Sequence, residues 1–111
     1  MSMDERRVLA EVRRVTLREL RFWVREGWVK PAQSDVGPMF DEVDVARIRL
    51  LCDLRKDMQV PTDALPVVLT LIDRLNETRR DLSHLARAID SLPDELRASV
   101  AEQVRRVRGK S

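Results

Sequence analysis

Val15-Thr16-Leu17-Arg18-Glu19-Leu20-Arg21-Phe22-Trp23-Val24-Arg25-Glu26-Gly27-Trp28-Val29-Lys30-Pro31 reads as a short helix with both of its ends encoded. Thr16 followed three residues later by Glu19 is a capping box, in which each side chain satisfies the backbone N–H of the other and opens a helix at Leu17. Gly27 closes that helix near Glu26, because a residue without Cβ enters the left-handed conformation cheaply. Trp28 to Pro31 leaves it as extended chain. Arg18, Arg21 and Arg25, at spacings of three and four, share one face of the helix.

Working outward, Val8, Leu9, Val12 and Val15 have near-helical spacing and predict a first helix from about Asp4 to Val12. Residues Gln33 to Phe40 contain the breaker pair Gly37-Pro38 and predict a short hairpin, or wing. Asp41 to Met58 predicts a third helix. Its apolar residues, from Val43 to Met58, cover more than half of the helical wheel and leave Arg49, Asp53, Lys56 and Asp57 as a narrow solvent face. Pro61 ends it.

A long helix is expected from a Thr62-Asp63 cap to about Asp90, with Pro66 in the first turn where its missing N–H does least harm. Val68, Ile72, Leu75, Leu82, Ala86 and Ile89 follow steps of four and three interrupted by Arg79. Leu71, Leu75, Leu82, Leu85 and Ile89 make an equally good register. At ~1.5 Å per residue this helix extends roughly 40 Å, so something must cover its apolar stripe. A coiled coil with a second copy is the expected cover, with Val68, Ile72, Leu75, Leu82 and Ile89 as the seam; an intramolecular helical hairpin is the alternative. Ser91-Leu92-Pro93-Asp94 then restarts the chain into a last helix, Pro93 to about Val107. The expected organisation is an all-α chain in two parts. Residues 1–60 form a winged helix-turn-helix, and residues 61–111 a long dimerisation helix followed by a short C-terminal helix.

The 111 residues carry 21 Lys and Arg against 19 Asp and Glu, a formal charge of +2, so net charge alone selects neither nucleic acid nor membrane. Its distribution is more informative. Residues 1–31 hold eight bases and five acids, whereas residues 32–60 hold six acids and four bases, so the sign reverses across the wing. Cys52 is the single cysteine and His84 the single histidine, which excludes a disulfide framework and a multi-thiolate metal site within one chain. Cys52 is expected as an inert core filler and His84 as a surface or seam-edge residue. No paired carboxylates, nucleophile–base set or phosphate-cradling glycine loop is present, so no enzymatic activity, metal or cofactor is expected. No stretch is apolar enough to span a bilayer, and the N-terminus has no signal-type apolar segment. The expected location is therefore cytoplasmic.

The Val15–Pro31 run resembles the second helix and exit strand of the MerR family: a small polar cap, Leu-Arg, two aromatics, Glu-x-Gly, an apolar pair and Pro. Gly37-Pro38-Met39-Phe40-Asp41-Glu42-Val43-Asp44 sits where that family has its wing, and the resemblance extends over roughly Val8 to Ile89. Two departures stand out. The wing arginine that reaches a phosphate in DNA-binding members is Met39 here, and Asp35, Asp41, Glu42 and Asp44 surround it. No cysteine marks the start of the long helix, as it does in metal and redox sensors of the family.

Asp44-Val45-Ala46-Arg47-Ile48-Arg49-Leu50-Leu51-Cys52-Asp53-Leu54, followed by Asp63-Ala64-Leu65-Pro66-Val67-Val68-Leu69-Thr70-Leu71-Ile72-Asp73, is similar to the CbpM-type chaperone modulators, which are MerR-fold relatives. That resemblance implies a non-enzymatic protein that binds the J-domain of a DnaJ-like, CbpA-type co-chaperone and inhibits it. Asp41, Glu42, Asp44, Asp53 and Asp57 are then the candidate partner-binding residues, complementary to a basic J-domain helix. Considered singly, Asp41, Glu42 and Asp44 also suit the positive end of a helix dipole. The alternative is a dimeric MerR-family transcriptional regulator without an effector domain, in which Arg18, Arg21 and Arg25 would meet DNA.

Overall fold

The computed structural model describes residues 2–109. Its elements run α1 (Glu5–Glu11), α2 (Leu17–Arg25), β1 (Ala32–Ser34), β2 (Gly37–Met39), α3 (Glu42–Cys52), a π-helical turn (Asp53–Asp57), α4 (Leu65–Asp90) and α5 (Asp94–Gly109). The chain divides into two compact units, Met1–Leu69 and Thr70–Ser111. The expected mostly helical architecture, a helix-turn-helix with a two-stranded wing followed by a long and then a C-terminal helix, is what the structure has.

Local capping accounts for the first three helix starts. Asp4 caps α1 by accepting from the Arg7 N–H. Thr16 and Glu19 form the expected box at α2, the Thr16 hydroxyl accepting from the Glu19 N–H at 3.1 Å and the Glu19 carboxylate from the Thr16 N–H at 2.9 Å. A second box opens α3, where Asp41 accepts from the Asp44 N–H at 2.8 Å and Asp44 from the Asp41 N–H at 3.0 Å. Gly27 has φ 78°, the left-handed turn expected after α2.

The third helix departs from its expected form. The α-helix stops at Cys52, and the chain continues as one π turn in which the Met58 N–H reaches back five residues to the Asp53 carbonyl. Gln59 follows at φ 54°, a conformation that costs a residue with Cβ on the order of 1 kcal/mol. The expected apolar coverage of the wheel is also corrected, because Val43 and Met58 are exposed. The buried residues are Val45, Ile48, Leu51, Cys52 and Leu54, a narrower stripe that faces the core.

The core of the first unit gathers Val8, Leu20, Ile48, Leu51 and Leu65 from α1, α2, α3 and α4, with Val29 and Phe40 from the segments that flank the wing. Phe40 is wholly buried, and its backbone exchanges both hydrogen bonds with Met3 at 2.8 Å, which ties the segment before α1 to the segment before α3. The wing pairs Ala32 with Met39 and Ser34 with Gly37 in antiparallel register. In the second unit no side chain among the described residues is buried.

Candidate functional site

The five candidate partner-binding acids fall into two groups that the fold treats differently. At the start of α3, Asp41 and Asp44 are the capping pair described above, while Glu42 projects as an exposed carboxylate. Capping does not remove charge. The Asp44 N–H is the main reason that the Asp41 carboxyl lies below its ordinary range, so it stays ionised. Partial burial moves Asp44 the other way, above its ordinary value. At the far end, the π turn brings Asp53 and Asp57 to a single guanidinium. Arg14 donates to Asp53 at 3.0 Å and to Asp57 at 2.6 Å. The hydrogen bond to Asp57 is the largest of the effects that push Arg14 further up.

Lys56 completes that clasp by donating to the Arg14 carbonyl oxygen and to the Glu19 carboxylate at 3.0 Å. Partial burial pushes Glu19 up, but the Thr16 N–H and the Lys56 ammonium outweigh it and hold the carboxyl below its usual range. Asp53 and Asp57 therefore neutralise a cation of their own chain.

The three arginines considered for DNA also differ. Arg18 is exposed. Arg21 is bound to Glu5 through Nε at 3.0 Å and Nη2 at 3.3 Å, a two-pronged pair between α2 and α1. Arg25 lies over the Phe22 ring, 5.8 Å from its centroid, and Phe22 in turn packs edge-on to Trp28. Trp23 is buried in the core, whereas Trp28 is half-buried, its carbonyl accepting from the Arg47 side chain at 3.0 Å.

An antiparallel backbone bridge between Met3 and Phe40 ties the segment before α1 to the segment before α3. The pairing partners are 37 positions apart in the chain, which is why periodicity and capping rules carried no sign of it.

The model of the MerR HTH family regulatory proteins matches residues 7–71, more than half of the chain. The chain belongs to the MerR family. No curated protein and no solved structure matches it. The matched span covers α1, α2, the wing and α3, and it ends inside α4, so the family assignment rests on the first unit.

Within this MerR domain the wing is the two-stranded hairpin of β1 and β2. From Ala32 to Met39 it carries no Lys or Arg, and its one charged side chain is Asp35. Its tip presents Val36, 82% exposed. The candidate seam residues of α4 are placed in the second part of the chain: Leu75 and Leu82 are 51% and 60% exposed, and Val68, Ile72 and Ile89 are half-buried. Cys52 is buried, and desolvation pushes its thiol up, which makes it unreactive. Among the described residues no group of three His, Cys, Asp or Glu side chains is placed to hold a metal ion, and no helix is long and apolar enough to cross a membrane.

Proposed function

We propose that this MerR-family chain is a protein-binding modulator that engages the J-domain of a DnaJ-like, CbpA-type co-chaperone and inhibits it, working as a homodimer through α4. The observation that carries the reading is the wing without a base. Each phosphate contact gains from counterion release only where a cation meets it, and this hairpin offers Asp35 instead. The acidic start of α3, where Asp41 is held ionised, suits the opposite partner, a basic helix. The exposed apolar seam of α4 supports the second copy as its cover, since contiguous exposed leucines at heptad spacing mark an interaction surface.

Calorimetry against a J-domain from the same cell and against genomic DNA fragments tests the choice. The double reversal Asp41→Lys, Glu42→Lys is expected to weaken the J-domain complex with an unchanged circular-dichroism spectrum. The wild-type on-rate is expected to fall with added salt, as screening shortens below ~10 Å. Arg18→Ala with Arg21→Ala is expected to leave that complex in place. Sequence-specific DNA binding that those arginine changes abolish, without a J-domain signal, identifies a transcriptional regulator instead.

A further inference from the structure

The apolar face of α4 is wider than a two-chain seam uses. Val68, Leu75, Leu82 and Ile89 form one row at seven-residue spacing, with Ile72 and Ala86 beside it on one side and Leu71 and Leu85 on the other. A two-stranded coiled coil fills two such rows, whereas three apolar positions per heptad belong to a helix packed in a bundle. The seam proposed above takes the middle row with Ile72. Leu71 and Leu85, 60% and 57% exposed, are left outside it.

The last helix has the complementary shape. Leu96, Val100, Val104 and Val107 share one side of α5, and no residue of that helix is buried. Its short valines leave a depression of about 360 Å³ along that side, edged by Ser99, Gln103 and Arg108. A hollow between small side chains takes larger ones from a facing helix, as knobs fill holes, and the leftover row of α4 consists of leucines. The lengths agree as well. At ~1.5 Å per residue, Leu71 to Leu85 spans about 21 Å and Leu96 to Val107 about 17 Å. Within one chain the two stripes do not cover each other, since Leu71, Leu85, Leu96, Val104 and Val107 are all exposed.

Charge selects the same edge of α4. Of the charged side chains on α5, Arg97 and Arg108 lie nearest the apolar stripe on the helical wheel, and Asp94, Glu95 and Glu102 lie further round. Arg97 holds Asp94 of its own helix at 2.6 Å, but that carboxylate is 91% exposed, and such a pair contributes little. On α4, two acids and one base (Glu77, Asp81 and Arg74) border the Leu71–Leu85 row. Three bases and two acids (Arg79, Arg80 and Arg87 with Asp73 and Asp90) border the opposite side.

We infer that α5 of one copy packs its valine-lined side onto the Leu71–Leu85 row of α4 in the second copy, so that the dimer closes as an intertwined four-helix bundle. This rests on the homodimer through α4 proposed above and adds its outer layer. Each chain leaves one row of α4 and one face of α5 uncovered, so a single two-fold contact satisfies both twice, as an isologous interface requires.

Sedimentation equilibrium of the full chain over a range of concentrations decides it. Val104→Glu and Leu85→Glu are each expected to weaken the dimer at least ~10-fold, the scale of a lost interface anchor. Combined, they are expected to weaken it by less than the product of the two, because residues in contact are coupled. Val104→Ala, which keeps helix propensity, is expected to act in the same direction by less. Ala98→Glu, on the opposite side of α5, is expected to have no effect. A dimer that Leu82→Glu dissociates and Val104→Glu leaves intact overturns the outer layer and spares the α4 seam. A wild-type chain that sediments as a monomer overturns the seam and the bundle together. Multiplicative effects of Val104→Glu and Leu85→Glu show that the two residues do not meet and overturn the inference. A wild-type tetramer that Val104→Glu reduces to a dimer assigns α5 to a contact between dimers and likewise overturns it.

Discussion

The two units of this chain obey opposite packing logic. Every buried side chain among the described residues lies between Val8 and Leu69, whereas from Thr70 onward Leu71, Leu75, Leu82, Leu85, Leu96, Val104 and Val107 are all exposed by about half or more. The first unit closes a core within one chain. The second has the apolar periodicity of a packed helix pair and no buried side chain among the described residues. An apolar pattern in sequence records that burial is needed; it does not say whether the cover is intramolecular. For the hairpin considered as an alternative cover of α4, the exposed stripes of α4 and α5 give no support.

The contrast breaks most sharply at Phe40. Truncation to Ala removes a fully buried ring from the junction of α1, the wing and α3, and is expected to cost about 3–5 kcal/mol. Denaturant unfolding followed by tryptophan fluorescence measures it, because Trp23 reports on the same core. A loss below ~1 kcal/mol would mean that the first unit does not depend on its own interior as described.

Leu82→Glu sharpens the other side of the comparison. In a single chain Leu82 is 60% exposed, and a charge there should change stability by no more than ~0.5 kcal/mol. If a second copy covers the seam, the same change is expected to shift sedimentation from dimer to monomer and to abolish the concentration dependence of melting. A wild-type chain that sediments as a monomer at tens of micromolar would remove the second copy as the cover.

The smallest expected effect concerns the clasp at Glu19. Its carboxyl is held below its ordinary range in the folded state, so it contributes stability that is present above the unfolded value and lost as pH falls through the folded one. The melting temperature of the first unit is expected to decline as pH drops below ~4. Glu19→Gln should flatten part of that decline, because the amide no longer titrates. Asp44 works against the trend, its carboxyl being raised, so the net slope is expected to be shallow. An identical acid limb in Glu19→Gln and wild type would show that the clasp contributes nothing to folding.

What the chain's local order made legible is the set of contacts that span three or four residues. The Thr16–Glu19 box, the stop at Gly27 and the hairpin around Gly37-Pro38 all depend on neighbours in sequence, and all were visible there. The acidic groups at Asp41, Glu42 and Asp44 were visible for the same reason. Their consequences were not, because the sign of a charge says nothing about what faces it.

Sequence by itself determined the family fold, the starts of the first three helices and the existence of an apolar stripe along α4, since each is a matter of periodicity and capping over a turn or two. The fourth helix starts at Leu65, after a turn, rather than directly from the expected Thr62-Asp63 cap. Only the tertiary structure decided which distant charges pair. It gave Arg14 to Asp53 and Asp57 across 39 and 43 positions, set Glu5 against Arg21, and joined the starts of α1 and α3 through Met3 and Phe40. It also turned the end of α3 into a π turn and gathered Leu9, Leu17, Val36 and Pro38 around one cleft. The physical reason is common to all of these. Distant side chains meet only after the core around Phe40, Ile48 and Leu51 has set the angles between elements, and no local rule of helix or turn formation encodes those angles.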